Sequence, residues 1–273
     1  MNFLEKLLSA GRDNKSLLCV GLDPDPKLMP PRLSVFEFNR EIVDVTSDLV
    51  CAYKPNLAFY EAMGIDGLRA LVKTMGHVPK GIPVIGDAKR GDIASSSEAY
   101  ARALFETFGF DAATVNPYMG HDSIAPFIAY ADKGVFILCK TSNAGSADFQ
   151  ESLCSQASNA NARPLFELVA LKAGRWNTRG NIGLVVGATY PEQLRRVREL
   201  CAELPLLIPG IGAQGGDLAS AVRYGVDVNG EKAIINCSSQ ILYASKSKDF
   251  AQAARREALK LRDQINQQLA TRR

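Results

Sequence analysis

Closely spaced charges end an apolar segment of this chain, and their types and spacing suit proton transfer. Residues 82–93 read I-P-V-I-G-D-A-K-R-G-D-I. Because side chains alternate between the two faces of a strand, Asp87 and Lys89 should lie on the same side, with Asp92 placed beyond them by a turn. A carboxylate beside an ammonium favours the ionised form of both, and the lysine has a proton to donate. The segment therefore predicts a charged catalytic device, unless it is only a solvated turn after a core strand.

Composition excludes several classes of partner. The chain has 273 residues, of which 47% are hydrophobic, and its net charge is only +3. Its basic residues are scattered along the sequence. A nucleic-acid surface would need those residues clustered on one face. Residues 1–12 read as a short amphipathic helix, neither a signal peptide nor a membrane span. We therefore expect a soluble cytoplasmic protein that binds neither nucleic acid nor membrane.

Cysteine and histidine usage disfavours a zinc site. The six cysteines show no C-x-x-C spacing, and only His77 and His121 are available as imidazole ligands. Four of the cysteines fall in or beside apolar strand-like segments: Cys19, Cys51, Cys139 and Cys237. In such a segment a reduced cysteine behaves as a small hydrophobic residue. We expect no metal at the site.

Short apolar segments alternate with helical periodicity along the whole chain. The predicted strands are 17–22, 50–54, 82–87, 112–116, 134–139, 182–187, 206–209 and 232–237. The predicted helices are 36–49, 65–77, 96–109, 121–131, 163–174, 191–203, 216–224 and 249–269, and 140–162 reads as an extended loop. Eight such units predict one α/β domain over 1–273, a single (β/α)₈ TIM barrel. A doubly wound open sheet is the main alternative, but no G-x-G-x-x-G follows the first strand.

Polar residues stand at the carboxyl ends of the predicted strands, where the active site of such a barrel lies. Asp23 follows strand one, Lys54 ends strand two, and Asp87 and Lys89 end strand three. Asn116, Ser142 and Ser239 follow strands four, five and eight. Alternating carboxylates and ammoniums on adjacent strands can balance one another at low dielectric. A purely structural salt-bridge layer is the alternative interpretation.

A glycine-rich loop follows predicted strand seven and favours a phosphate ligand. Residues 209–216 read P-G-I-G-A-Q-G-G and include Gly215 and Gly216. Such a loop offers backbone N–H groups leading into a helix, which is how barrels hold phosphate after strands seven and eight. We expect a small phosphate ester whose other end reaches the charged cluster.

Six motifs, in this order, resemble one enzyme family over roughly residues 15–265. They are G-L-D-P, Y-K-P-N, D-A-K-R-G-D-I, T-V-N-P-Y-M-G, K-T-S-N-A-G-S and I-P-G-I-G-A-Q-G-G-D. Together they resemble orotidine 5′-phosphate decarboxylase, most closely its longer bacterial subgroup. The resemblance implies a (β/α)₈ barrel and a homodimer with active sites at the interface. It also implies conversion of orotidine 5′-phosphate to uridine 5′-phosphate and CO₂ in pyrimidine biosynthesis, without metal or organic cofactor.

The resemblance also implies roles for individual residues. Lys54, Asp87 and Lys89 of one subunit and Asp92 of the other would form the charge network, with Lys89 protonating C6. The implied substrate-binding residues are Asp23, Asn116, Ser96, Ser142, Gln214, Gly215, Gly216 and Ser239. Among these, Asp23 (with Lys54) would hold the ribose, Ser96 (with Asp92) the ribose of the neighbouring site, Ser142 the pyrimidine ring, and Gln214 both ring and phosphate.

The chain departs from the family pattern after strand eight. The family usually has a phosphate-binding arginine where this sequence has Ser239 in I-I-N-C-S-S-Q. A charge-assisted hydrogen bond contributes about 1.5–3 kcal/mol, so its loss should weaken binding by about tenfold or more. Four basic residues are alternative phosphate ligands: Lys246, Lys248, Arg175 and Arg179. Two other functions stay open: a metal-dependent sugar-phosphate aldolase or epimerase on a related barrel, and a non-catalytic nucleotide-phosphate binding protein.

Overall fold

Eight parallel strands alternate with helices in the computed structural model, which describes residues 1–155, 162–212 and 215–271. The strands are β1 Leu18–Gly21, β2 Ala52–Lys54, β3 Ile85–Arg90, β4 Ala112–Val115, β5 Gly134–Lys140, β6 Ile182–Val186, β7 Leu206–Ile208 and β8 Ala233–Cys237. They form one sheet in the order β2-β1-β8-β7-β6-β5-β4-β3. Parallel bridges from Tyr53 to Val84 and from Asn56 to Asp87 join its two edges. The predicted (β/α)₈ barrel is confirmed.

Helices surround the strands. The longer helices are Phe3–Asp13, Val35–Thr46, Gly64–His77, Ala94–Arg102, His121–Ile128, Leu165–Trp176, Pro191–Leu200, Leu218–Gly225 and Phe250–Thr271. The short helical segments are Leu57–Glu61, Ala103–Thr107, Ala144–Ser146, Ala147–Gln150 and Ser239–Leu242. Within the described ranges, none of these helices combines the length and apolar composition needed to cross a membrane.

The first helix closes the amino-terminal end of the barrel. Asn2 caps it, because its side chain accepts the N–H of Glu5 at 2.9 Å while the Glu5 carboxylate accepts the N–H of Asn2. Phe3 and Leu7 then pack against inward-facing strand residues such as Phe136. Since apolar side chains fill this end, the opposite end, where the strands reach their carboxyl termini, is left for polar residues.

Strand three begins later than predicted. We expected a strand over 82–87 that ends at the charges, but β3 spans Ile85–Arg90 and contains Asp87 and Lys89, with Asp92 beyond it. The N–H of Ile82 donates to the carbonyl of Pro79 in a turn, and Pro83 has no N–H to donate, so regular pairing with β4 starts at Ile85. Asp87 and Lys89 therefore lie within the sheet, whereas Asp92 lies after it.

Two other segments differ from the sequence-based expectation. The predicted helix 96–109 is an α-helix that continues into a π-helical turn at Ala103–Thr107. The expected loop 140–162 contains the two short helical segments over 144–150 and one strand of a two-stranded hairpin, Leu153–Cys154 paired with Arg163–Pro164. Short elements of this kind escape detection because they are too brief to show a hydrophobic period.

Candidate active site

A cavity of about 430 Å³ opens at the carboxyl ends of the strands. This volume is typical of a small-molecule site. Six of its lining residues are predicted site residues: Asp23, Lys54, Asp87, Lys89, Ser142 and Ser239. Gly210, from the glycine-rich loop, also lines it. Leu138, Val185 and Leu207 supply an apolar floor. The cavity thus combines one charged wall with an apolar base.

Asp87 bridges two lysines in the charged wall. Its Oδ2 accepts a hydrogen bond from Lys54 Nζ at 3.0 Å, and its Oδ1 accepts one from Lys89 Nζ at 2.6 Å. Lys54 comes from β2 and Asp87 and Lys89 from β3, and all three line the cavity. Lys89 has a left-handed backbone conformation (φ 51°) in a stretch where the β3–β4 register shifts, so regular strand alternation does not account for its direction. The Lys54 side chain is only 5% exposed, whereas that of Lys89 is 47% exposed. Lys89 is therefore the more accessible of the two ammonium groups.

The opposite charges of Asp87 and Lys54 keep both groups ionised. Burial alone would raise the pKa of Asp87, but the positive charges of Lys54 and Lys89 outweigh it and hold that pKa well below its usual range. Burial alone would lower the pKa of Lys54, but the charges of Asp87 and Asp23 outweigh it and raise that pKa. The cavity therefore carries a fixed carboxylate and a fixed ammonium across the neutral pH range.

Neighbouring strands hold the orientation of the charged groups. Thr114, on β4, donates from Oγ1 to Asp87 Oδ1 at 2.9 Å and accepts the N–H of Lys89 at 2.9 Å. Asp23 Oδ1 accepts the N–H of Asn56 at 3.1 Å. Thr114 was not predicted from the sequence. The available signal was its position two residues before Asn116, on the inward-facing side of the strand.

Ser142 lies on the far wall, just after β5. Its carbonyl accepts a hydrogen bond from Thr189 Oγ1 at 3.0 Å. Gly187 packs directly beneath it, because a Cβ added at Gly187 would lie 2.7 Å from Ser142 Cα. The turn after β6 therefore sets the position of Ser142.

The glycine-rich loop differs from the expected phosphate cradle. The N–H of Gly216 donates to the carbonyl of Gly210 at 3.0 Å, and that of Gly215 donates to Gly212 at 2.9 Å. These two N–H groups, predicted to be unobstructed, are used within the loop, and the next helix is capped by Asp217, which accepts the N–H of Ser220. Gln214 lies outside the described residues.

Ser239 lies in the cavity wall together with Ser238. Of the four basic residues considered in place of the missing arginine, Arg179 is placed at the wrong end of the barrel. It lines a small crevice with Asn2 and Phe3, at the amino ends of the strands. Arg175 is in the last turn of the helix that leads to that same end. Lys246 and Lys248 follow the segment after β8 and remain candidates.

Asp92, Ser96 and Asn116 lie outside the cavity of their own chain. Ser96 and Asn116 are exposed, and Asp92 Oδ1 accepts the N–H of Ile93 at 2.8 Å. Large apolar side chains beside them are also exposed, including Tyr118 at 84% and Met119 at 48%. This surface, which we call the β3–β4 surface, has the composition of a protein–protein contact.

Asn236 is a lining residue that sequence reasoning missed. It lies on β8 between the inward-facing Ile234 and Ser238, and it is only 7% exposed. Its Oδ1 is buried and has no hydrogen-bond partner among the described residues. Since buried polar atoms in proteins are usually paired, an unpaired amide in this cavity is positioned for a polar ligand atom.

The chain is similar over nearly its whole length to proteins of known name. The family model described as "Orotidine 5'-phosphate decarboxylase / HUMPS family" matches residues 16–256. A protein of Dehalococcoides mccartyi named orotidine 5'-phosphate decarboxylase is 55% identical over 266 residues, covering 97% of this chain and 98% of the relative. One of Ralstonia pickettii with the same name is 51% identical over 274 residues, covering 98% and 99%. The solved structure of Leishmania donovani OMP decarboxylase superposes with a TM-score of 0.83 at 40% identity, covering 99% of each chain.

Proposed function

The chain belongs to the orotidine 5′-phosphate decarboxylase / HUMPS family, and on that premise we propose that it converts orotidine 5′-phosphate to uridine 5′-phosphate and CO₂. This reaction is a carboxy-lyase step in pyrimidine biosynthesis. The observation that carries the proposal is the Lys54–Asp87–Lys89 network, in which the exposed Lys89 ammonium stands at the charged wall of a cavity with an apolar floor.

The geometry suits this chemistry. When the bond between C6 and the carboxylate breaks, its electron pair stays on C6, where the ring offers no electron sink. A fixed ammonium beside C6 stabilises that developing charge and then donates its proton to form the C6–H bond, which is the role of Lys89. Asp87 prevents Lys89 from moving away, and the apolar floor excludes water from the reacting carbon.

The remaining roles follow the resemblance. Asp23 and Lys54 would hold ribose hydroxyls, and Ser142 would contact the pyrimidine ring. Gln214 would bind both ring and phosphate, and Ser239, Gly215 and Gly216 would bind at the phosphate end. Asn236 adds a further contact, because a substrate polar atom would satisfy its unpaired amide oxygen. Because the N–H groups of Gly215 and Gly216 are engaged within the loop, phosphate binding requires that loop to rearrange or a side chain such as Lys246 to assist.

We further propose a homodimer in which each site receives Asp92 and Ser96 from the partner subunit. These residues lie outside the cavity of their own chain but beside the apolar β3–β4 surface, so burial of that surface would carry them to a second copy. We also propose a cytoplasmic location, because all six cysteines have free thiols, as is typical of a reducing compartment.

The main alternative is a metal-dependent sugar-phosphate aldolase, since the family description also covers HUMPS proteins. The curated relatives at 51–55% identity carry the decarboxylase name, which favours decarboxylation. The test is the loss of orotidine 5′-phosphate absorbance with purified protein, with and without EDTA. We expect equal turnover in both conditions. Absence of turnover, or turnover abolished by EDTA and restored by a divalent cation, would reject the proposal.

A further inference from the structure

Lys140 is a fully buried lysine that the proposed reaction does not use. It is the last residue of β5 and is 0% exposed, yet it does not line the cavity that holds Lys54 and Lys89. Burying an ammonium has a large desolvation cost unless it is paired and hydrogen-bonded. A lysine kept at such a position therefore needs partners, and those partners indicate what it holds together.

Its contacts come from the two segments that flank Ser142. Lys140 Nζ donates to Ser146 Oγ at 2.6 Å and lies 3.3 Å from Glu151 Oε1. It also lies 3.7 Å from the centre of the Tyr190 ring, close enough for a cation–π contact. Ser146 and Glu151 belong to the segment after β5, and Tyr190 to the turn after β6.

Both segments converge on the cavity wall. The Tyr190 hydroxyl donates to the carbonyl of Asn143 at 3.2 Å, and Thr189 donates to the carbonyl of Ser142 at 3.0 Å. The Gln150 side chain closes the base of the loop, because its Oε1 accepts the N–H of Thr141 and its Nε2 donates to Thr141 Oγ1. Lys140 is thus the charged centre of a clamp formed by residues 140–151 and the turn at 187–190.

We propose that Lys140 is a positioning residue that fixes Ser142 against the pyrimidine ring, an inference that rests on the proposed decarboxylase function. The Lys140 ammonium contacts the Ser146 hydroxyl, the Glu151 carboxylate and the Tyr190 ring, and so holds the segment after β5 against the turn after β6. Ser142 is thereby held at the cavity wall before substrate arrives, so that binding does not have to order it. Loss of the clamp raises KM more than it lowers kcat.

A double-mutant cycle between Lys140 and Ser142 tests the coupling. Ser142→Ala, Lys140→Met and the double variant are compared with the wild-type protein in the decarboxylation assay. We expect Lys140→Met to raise KM about tenfold, equal to about 1.4 kcal/mol, and to raise it much less when Ser142 is already alanine. Multiplicative effects in the cycle would overturn the inference, because independent sites add in free energy.

Lys133→Met is the matched control. Lys133 precedes β5 at its other end, where its only ion-pair partner among the described residues is Asp132 at 4.0 Å, so KM should be unchanged. If Lys140→Met does not fold, Ser146→Ala takes its place in the cycle and must show the same non-additivity. Failure of the inference is distinct from failure of the proposed function: the first leaves wild-type turnover intact, whereas the second abolishes it in every protein.

Discussion

Asp87 is surrounded by hydrogen-bond donors from three strands. Two of them, Lys54 and Lys89, are charged, and the third is the Thr114 hydroxyl. Because Lys54 is buried, its charge depends on this carboxylate for compensation. The same residue therefore contributes to stability through Lys54 and to chemistry through Lys89.

Asp87→Asn should lower the free energy of unfolding by about 3 kcal/mol, because it leaves a buried lysine without its main counter-ion. Urea denaturation measures this change. Asp66→Asn is the control, since Asp66 pairs with Arg69 on the surface and its side chain is 90% exposed, so the change there should stay within about 0.5 kcal/mol. Equal effects at the two positions would contradict the account.

The stabilisation from Asp87 should depend on pH in a defined direction. Its pKa is lowered in the folded protein, so its contribution is complete above the unfolded value of about 3.9 and is lost as pH falls through the folded pKa. The pKa of Lys54 is raised, so its contribution is complete below about 10.4 and is lost as pH rises through its folded pKa. The difference in unfolding free energy between wild type and Asp87→Asn should therefore be constant from about pH 5 to 9 and shrink below about pH 4. A difference that already falls between pH 7 and 5 would contradict this.

Asn236→Ala should raise KM about fivefold with a smaller effect on kcat, because it removes a polar partner for the substrate worth about 1 kcal/mol. Steady-state kinetics give both constants. Asn229→Ala, at an exposed position outside the active-site cavity, should leave both unchanged. An unchanged KM for Asn236→Ala would remove this residue from the binding site.

The sequence located the reactive residues well because their chemistry is local. Asp87 and Lys89 both line the cavity and the structure brings Lys54 to them, although Lys89 has a positive φ of 51° and so does not follow the regular strand alternation from which its direction was predicted. Thr114 and Asn236 were missed because a hydroxyl and an amide within apolar strands look like ordinary core positions. Only the three-dimensional pairing shows that Thr114 holds Asp87 and that the Asn236 oxygen has no described partner.

At the scale of elements, the turn after β6 controls the loop after β5. Gly187 donates its N–H to the carbonyl of Lys140 at 2.7 Å and leaves space for the backbone of Ser142. Only a residue without a Cβ permits this approach. The close approach of these two loops thus helps to set the position of Ser142 at that wall.

Gly187→Ala should displace Ser142, because the new Cβ would lie 2.8 Å from the Ser142 Cβ. We expect KM to rise at least tenfold. Gly174→Ala is the control, since that glycine lies in the helix Leu165–Trp176 with nothing within 4 Å of an added Cβ. It should leave KM unchanged and stabilise the protein by about 0.5–1 kcal/mol. A Gly187→Ala protein with wild-type KM would show that the loop tolerates the change.

Hydrophobic periodicity predicted the eight strand–helix units but not every boundary. The start of β3 was placed three residues too early, because Ile82 and Val84 look like strand residues while the intervening Pro83 prevents regular pairing. The clamp below Ser142 could not be foreseen, since it joins residues from two loops. Contacts between distant loops leave no periodic signal in one sequence.

At the scale of the whole molecule, the proposed dimer makes each site depend on two chains. Lys89→Ala and Asp92→Asn proteins, each inactive alone, should regain activity when mixed, because a mixed dimer contains one intact site. Random exchange gives about a quarter of wild-type activity at most. Two Lys89→Ala preparations mixed in the same way are the control. No recovery after confirmed subunit exchange would contradict a shared site.

That residues 1–273 form one domain stays a prediction, and it has a thermodynamic consequence. A single barrel core should unfold in one cooperative transition, with intrinsic fluorescence and circular dichroism changing together. Two separated transitions would indicate independent units.

The central claim is that Lys89, held by Asp87, protonates the carbon that loses CO₂. Its most direct test is CO₂ release from orotidine 5′-phosphate in a single turnover by wild-type and Lys89→Ala proteins, with binding of uridine 5′-phosphate measured in parallel. The account predicts rapid release by the wild type and near-complete loss in Lys89→Ala, while nucleotide binding is partly retained. Substantial CO₂ release by Lys89→Ala would contradict it.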